Sequence, residues 1–129
     1  MSRISMLSRC AVTVAATFLA TAAVADHHGG EKEAAPDVSL TVVNIVTAQD
    51  VKIWIPESIF AKKGDVVQLR LINKLDAEHG YKIEAFGVEK VVGAESAETV
   101  TFTADKAGIF PISCQLHPPH VAGQLVVLE

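Results

Sequence analysis

The sequence predicts an all-β chain folded as a Greek-key β-sandwich. Three observations point there. Apolar and polar residues alternate with period two in several short stretches, turn-forming residues separate those stretches, and no segment beyond the first 25 residues carries a convincing amphipathic helical pattern. A single short helical turn remains compatible with this reading.

The chain opens with what reads as an export signal. Arg3 and Arg9 supply positive charge, Ala11 to Val24 is an apolar run, and Ala23-Val24-Ala25 is a small-residue cleavage site. The apolar run is short for a membrane span and no second one follows, so residues 1–25 are expected to be removed and the mature protein to be a soluble, periplasmic one without stable membrane insertion. Residues 26–37, with Gly29-Gly30, mixed charges and Pro36, offer nothing to bury and read as a flexible leader to a folded domain at 38–129. About a hundred mature residues make one domain with a modest core.

Within that domain the strands are read in order. Val51, Ile53 and Ile55 oppose Lys52; Val67, Leu69 and Leu71 oppose Gln68 and Arg70; Val100 and Phe102 oppose Thr99, Thr101 and Thr103. Lys63-Gly64-Asp65, Gly93 to Ser96, Asp105 to Gly108, and Gly123 are the expected turns. Trp54, Phe60, Phe86, Phe102 and Phe110 are expected in the core, because large aromatics dominate small cores.

Cleavage after Ala25 leaves nine basic against 15 acidic residues, a net charge of about −6 with neutral histidines. Such a surface argues against nucleic-acid binding. Cleavage also discards Cys10, so Cys114 is left as one cysteine in an oxidising compartment, where an unpaired thiol needs a partner chain or a protecting ligand. Metal coordination is such a protection, and the surrounding run Cys114-Gln115-Leu116-His117-Pro118-Pro119-His120 supplies further donors. A soft thiolate with neutral imidazoles suits copper, and the competing reading is a closed zinc site.

Strand phase adds a fourth donor. His79 shares a face with Tyr81, Ile83 and Ala85 and so begins a strand on its inward side, whereas Cys114 shares a face with Phe110 and Ile112 and ends one. If the two strands run antiparallel, imidazole and thiol meet at one end of the sandwich. Glu78 has the opposite phase and is expected to face water. Pro118-Pro119 favours a polyproline II stretch, in which His117 and His120 point the same way about 9 Å apart. The candidate metal ligands are therefore His79, Cys114, His117 and His120. A separate, weak Cu(II) site is conceivable at Asp26-His27-His28, where the new amino terminus, two amides and the His28 imidazole would form a square plane.

From Ile55-Pro56 through Gly64-Asp65, Asn73 and His79-Gly80-Tyr81 to the Cys114 loop and Gly123-Gln124-Leu125, the chain resembles the cupredoxins. Within them it looks most like the red copper proteins called nitrosocyanins, through Glu84-Ala85-Phe86-Gly87-Val88, the stretch Thr101 to Gly108, and Cys114-Gln115-Leu116-His117-Pro118. The resemblance implies His79 as the first histidine ligand, Cys114 as the thiolate and His117 as the second histidine, with His120 in the place of the second loop histidine of nitrosocyanin. It also shows departures: Val121 or Ala122 stands where blue cupredoxins carry an axial Met, and His79 stands where nitrosocyanin carries Glu.

The expected function is one-electron transfer by a single copper ion in the periplasm, with an unidentified redox partner protein. Pro118, Pro119, Val121 and Ala122 are either loop packing or the apolar collar through which cupredoxins dock their partners, His117 being the exit path. The alternatives are a copper scavenging, storage or resistance protein, motivated by the His-bearing leader, and a nitrosocyanin-like protein with small-molecule redox activity. Four protein ligands would leave little room for catalysis, so no catalytic residue is assigned.

Overall fold

The computed structural model describes residues 34–117 and 121–129, the side chains of Val121 and Ala122 excepted. The export segment, most of the leader with His28, and Pro118-Pro119-His120 lie outside the described residues. Among the described residues, nine strands form two sheets. The first sheet has the order β2-β1-β4-β7, with β1 at Val38–Val46, β2 at Lys52–Ile55, β4 at Val66–Asn73 and β7 at Ala97–Thr103. The second has the order β3-β9-β8-β5-β6, with β3 at Ser58–Lys62, β5 at His79–Ile83, β6 at Val88–Val92, β8 at Gly108–Ser113 and β9 at Val121–Leu128. The described helical structure is one 3-10 turn at Glu84–Phe86, and among the described residues no helix is long and apolar enough to cross a membrane.

The two inner faces make one core. Val42, Val67, Leu69, Leu71 and Phe102 of the first sheet meet Ile59, Tyr81, Ile83, Val92, Ile112 and Leu125 of the second. Strand β4 follows its predicted phase throughout, with Val67, Leu69 and Leu71 fully buried and Arg70 exposed. Parallel pairing of β1 with β4 and of β3 with β9 closes the two sheets around distant parts of the chain. The packed part also takes in the end of the expected leader, because the Asp37 carboxylate accepts a hydrogen bond from the Val66 N–H at 2.8 Å.

Four expectations need correction. In β2 the inward residue is Trp54, 1% exposed, while Val51 and Ile55 face out; the bulky indole gains most by burial and reverses the phase read from Lys52. Phe60 is 60% exposed on the edge strand β3, whose inward residues are Ile59 and Ala61. Ala85 lies in the 3-10 turn rather than in a strand. Gly123 is no turn but part of β9, at φ 154°, where the Glu57 carbonyl packs against its Cα and accepts the Gln124 N–H at 2.7 Å.

A Cβ at Gly123 would overlap that carbonyl oxygen. Gly123→Ala is therefore expected to destabilise the fold by about 3 kcal/mol, read as a lowered urea midpoint at unchanged slope. A midpoint equal to the parent's would contradict the close approach.

Candidate metal centre

Strands β5 and β8 run antiparallel, with Lys82 opposite Ser113. The start of β5 thus lies at the same end as the close of β8, as the phase argument required. The register of β8 against β9 shifts between Ile112 and Ser113, an irregularity that ends regular pairing just before Cys114. Cys114 is 2% exposed and His79 4%. The chain then turns tightly, the His117 N–H donating to the Cys114 carbonyl at 3.4 Å, and brings the exposed His117 back over the thiol.

The structure brings together three of the four predicted ligands. One donor atom each of His79, Cys114 and His117 lies within 4.8 Å of the other two. Cys114 Sγ stands 3.5 Å from His117 Nδ1, and the two imidazole rings are 5.4 Å apart, tilted by 41°. Glu78 is exposed, as expected. His120 lies outside the described residues.

The scaffold behind these donors is polar and buried. Asn73, fully buried at the end of β4, donates through Nδ2 to the carbonyls of Ala77 at 2.7 Å, Gly93 at 3.0 Å and Val92 at 3.2 Å. Its Oδ1 accepts from the Leu75 N–H at 3.1 Å and from Asn44 Nδ2 at 3.4 Å. One amide thereby fixes the loop leading into His79 and the turn that follows β6. The next residue, Gly80, donates its N–H to Cys114 Sγ at 3.3 Å, a bond that stabilises negative charge on sulfur. A Cβ at Gly80 would meet the Gln115 side chain, and Gln115 is itself held by its Nε2 donating to the Lys90 carbonyl at 3.1 Å.

Asn44, Gly80 and Gln115 were not identified as site-building residues from the sequence, and Asn73 entered only through the family resemblance. A polar side chain inside an apolar run, as in Val42-Val43-Asn44-Ile45-Val46 or Leu71-Ile72-Asn73, is the signal that was available. Beside the donors a cavity of about 390 Å³ is lined by Asp50, Val51, Lys52, Ala77, His79 and His117.

The cupredoxin-like domain family matches residues 9–127 of the chain. The chain belongs to that family. Among curated proteins, this cupredoxin-like chain is 43% identical over 56 residues to the nitrous-oxide reductase of Cupriavidus necator, a match covering 41% of this chain and 9% of the reductase, so it corresponds to a small part of that protein's length. Among solved structures, it resembles the copper nitrite reductase of Nitrosomonas europaea with TM-score 0.59 and 19% identity, over 70% of this chain and 41% of that one. It resembles auracyanin B with TM-score 0.59 and 16% identity, over 74% of this chain and 92% of that one. The metal-binding domain of the Streptococcus pneumoniae D39 Cu(I)-exporting P-type ATPase superposes with TM-score 0.58 and 17% identity, over 70% of this chain and 85% of that domain. At these identities the structural likeness concerns the fold.

Two predictions follow from the buried polar groups. Asn73→Ala strips the partner from the buried Val92 carbonyl and from the half-buried and exposed backbone groups of Leu75, Ala77 and Gly93 at once, and is expected to cost about 3 kcal/mol in a chemical denaturation measurement. Tyr81, the chain's one tyrosine, has a fully buried hydroxyl with no hydrogen-bond partner among the described residues, and burial raises its pKa well above the ordinary value of 10.0. The unfolded chain then loses its phenolic proton first, so stability is complete below pH 10 and falls as the pH rises beyond it. Tyrosinate absorbance near 295 nm should accordingly appear only together with alkaline unfolding, and Tyr81→Phe should leave stability unchanged or raise it by about 1 kcal/mol.

Proposed function

We propose that the protein is an exported mononuclear copper protein that transfers single electrons in the periplasm. The observation that carries this reading is the convergence of one thiol and two imidazoles, from His79, Cys114 and His117, at one end of a cupredoxin-like sandwich. The donor set fits the ion. Two ligands of one tetrahedral centre with metal–sulfur and metal–nitrogen bonds of ordinary length stand about 3.5 Å apart, and Cys114 Sγ and His117 Nδ1 are separated by 3.5 Å. Copper stands above zinc in the affinity order of divalent ions for nitrogen and sulfur donors.

Bound copper supplies a one-electron couple. The protein's part is to hold the donors still and to connect them to the surface. Asn73 and Gly80 hold the backbone around His79 and Cys114, limiting rearrangement of the donors, and the exposed His117 joins the buried thiol to solvent, where a redox partner protein would dock. His120, three residues beyond His117, is proposed as a fourth ligand. It would replace the absent axial Met with a stronger nitrogen donor, weaken the copper–thiolate bond and lower the potential. The copper-protein relatives, a nitrite reductase and a Cu(I)-exporting ATPase domain among them, support the choice of metal.

A second reading is small-molecule redox activity of the nitrosocyanin kind. It is favoured by the cavity of about 390 Å³ with both imidazoles on its wall, which gives a small ligand access to the centre. Copper handling, with an additional Cu(II) site at His28 and the mature terminus, is a third use of the same donors.

Titration of the metal-free mature protein with cupric salt is expected to saturate at one tightly held copper, with an intense thiolate charge-transfer absorption that Cys114→Ser abolishes. His120→Ala should shift that absorption toward blue-copper character. Reversible reduction with copper retained supports electron transfer, ready surrender of copper to a chelating acceptor supports handling, and an optical response to added azide supports ligand access through the cavity. Preferential, stable loading with zinc would overturn the copper reading.

A further inference from the structure

Gly80 makes a buried hydrogen bond through each of its two backbone polar groups, which belong to successive peptide units. Its N–H donates to Cys114 Sγ at 3.3 Å, and its carbonyl accepts from Trp54 Nε1 at 3.1 Å. All three residues are buried. Trp54 comes from β2 in the first sheet, whereas Gly80 lies in β5 of the second, so the indole bond crosses the sandwich.

We infer that Trp54 is a positioning residue for the candidate centre: its indole N–H anchors the Gly80 carbonyl and so holds the backbone in the orientation from which the Gly80 N–H reaches Cys114 Sγ. The redox consequence of this arrangement rests on the copper reading, whereas the anchoring of Gly80 does not.

Three constraints make the arrangement specific. Tyr81 packs edge-on to the indole, with centroids 5.3 Å apart and planes at 83°, which fixes the direction of Nε1–H. Gln115 crowds the Gly80 Cα, its Cδ lying 2.6 Å and its backbone nitrogen 3.0 Å from where a Cβ would stand. The remaining face of Gly80 is paired to Val91 across the β5–β6 ladder. Held in this way, the backbone has little freedom to turn its N–H away from sulfur. The Gly80 N–H and carbonyl belong to successive amides separated by Cα, so the indole acts on the N–H···S bond by fixing the orientation of the backbone. Phenylalanine would fill the same space without that donor, and tyrosine carries its donor at a different reach.

The chain contains one tryptophan, so global replacement of tryptophan during expression alters Trp54 alone. Benzothienylalanine substitutes sulfur for the indole N–H at nearly constant shape. In the metal-free protein the Gly80 amide proton is expected to move upfield and to exchange several-fold faster with benzothienylalanine, because the unanchored backbone gives a longer N–H···S bond. Loaded with cupric ion, the benzothienylalanine protein should show its thiolate charge-transfer band at longer wavelength and a lower reduction potential, because sulfur receives a weaker hydrogen bond. Trp54→Phe should reproduce the direction of both changes.

A Gly80 amide that does not move in the benzothienylalanine protein overturns the inference, whatever the copper measurements give. A moved amide with an unmoved band and potential overturns the claim that the anchoring reaches sulfur. If the parent protein takes up no copper, the electron-transfer reading fails while the amide measurement still decides the anchoring.

Discussion

The antiparallel meeting of β5 and β8 is the constraint on which the candidate centre depends. His79 opens one strand and Cys114 follows the other, and the pairing of Lys82 with Ser113 brings those two ends together. Neither residue is close to the other in sequence, so their approach is a product of the sheet register and of the core that enforces it. A one-residue slip would turn Tyr81 and Ile83, both fully buried, toward solvent, and burial of side chains of that size contributes roughly 2 kcal/mol each. The apolar face of β5 therefore protects the geometry of the donors.

Polar groups complete what apolar burial begins. Hydrophobic contact is non-directional and cannot by itself aim an imidazole or a peptide N–H. Asn73 does so for the loop before His79, through bonds to backbone groups of Leu75, Ala77, Val92 and Gly93. Leaving such a side chain in the interior is tolerable because its hydrogen-bonding capacity is used.

The legible parts of the sequence were those governed by local pattern. Within β4 the residues Val67 to Leu71 alternate strictly and their inward face was readable, and Cys114 and His117 stand close enough in sequence to be recognised as a pair. The inward phase of His79 followed from Tyr81 and Ile83. Strand β2 was misread because Val51-Lys52-Ile53-Trp54-Ile55 holds a single polar residue, too little to set a phase against the preference of an indole for the interior. Phe60 was misplaced because its size says nothing about which face of β3 packs on the core; Ile59 and Ala61 decide that. The roles of Gly80 and Gly123 were hidden for another reason. Each depends on the backbone or side chain of a segment far away in sequence, the Cys114 loop for one and Glu57 for the other, and no local pattern records such an approach.

Strand β9 sits inside the second sheet between β3 and β8 rather than at its edge. Pairing Ser58–Lys62 with residues 124–128 joins distant parts of the chain and closes a long loop at an entropic cost. Cys114 and His117 follow β8 and precede β9, both interior strands of one sheet, so the segment that carries two of the candidate donors is tethered on each flank by paired backbone rather than by a free edge.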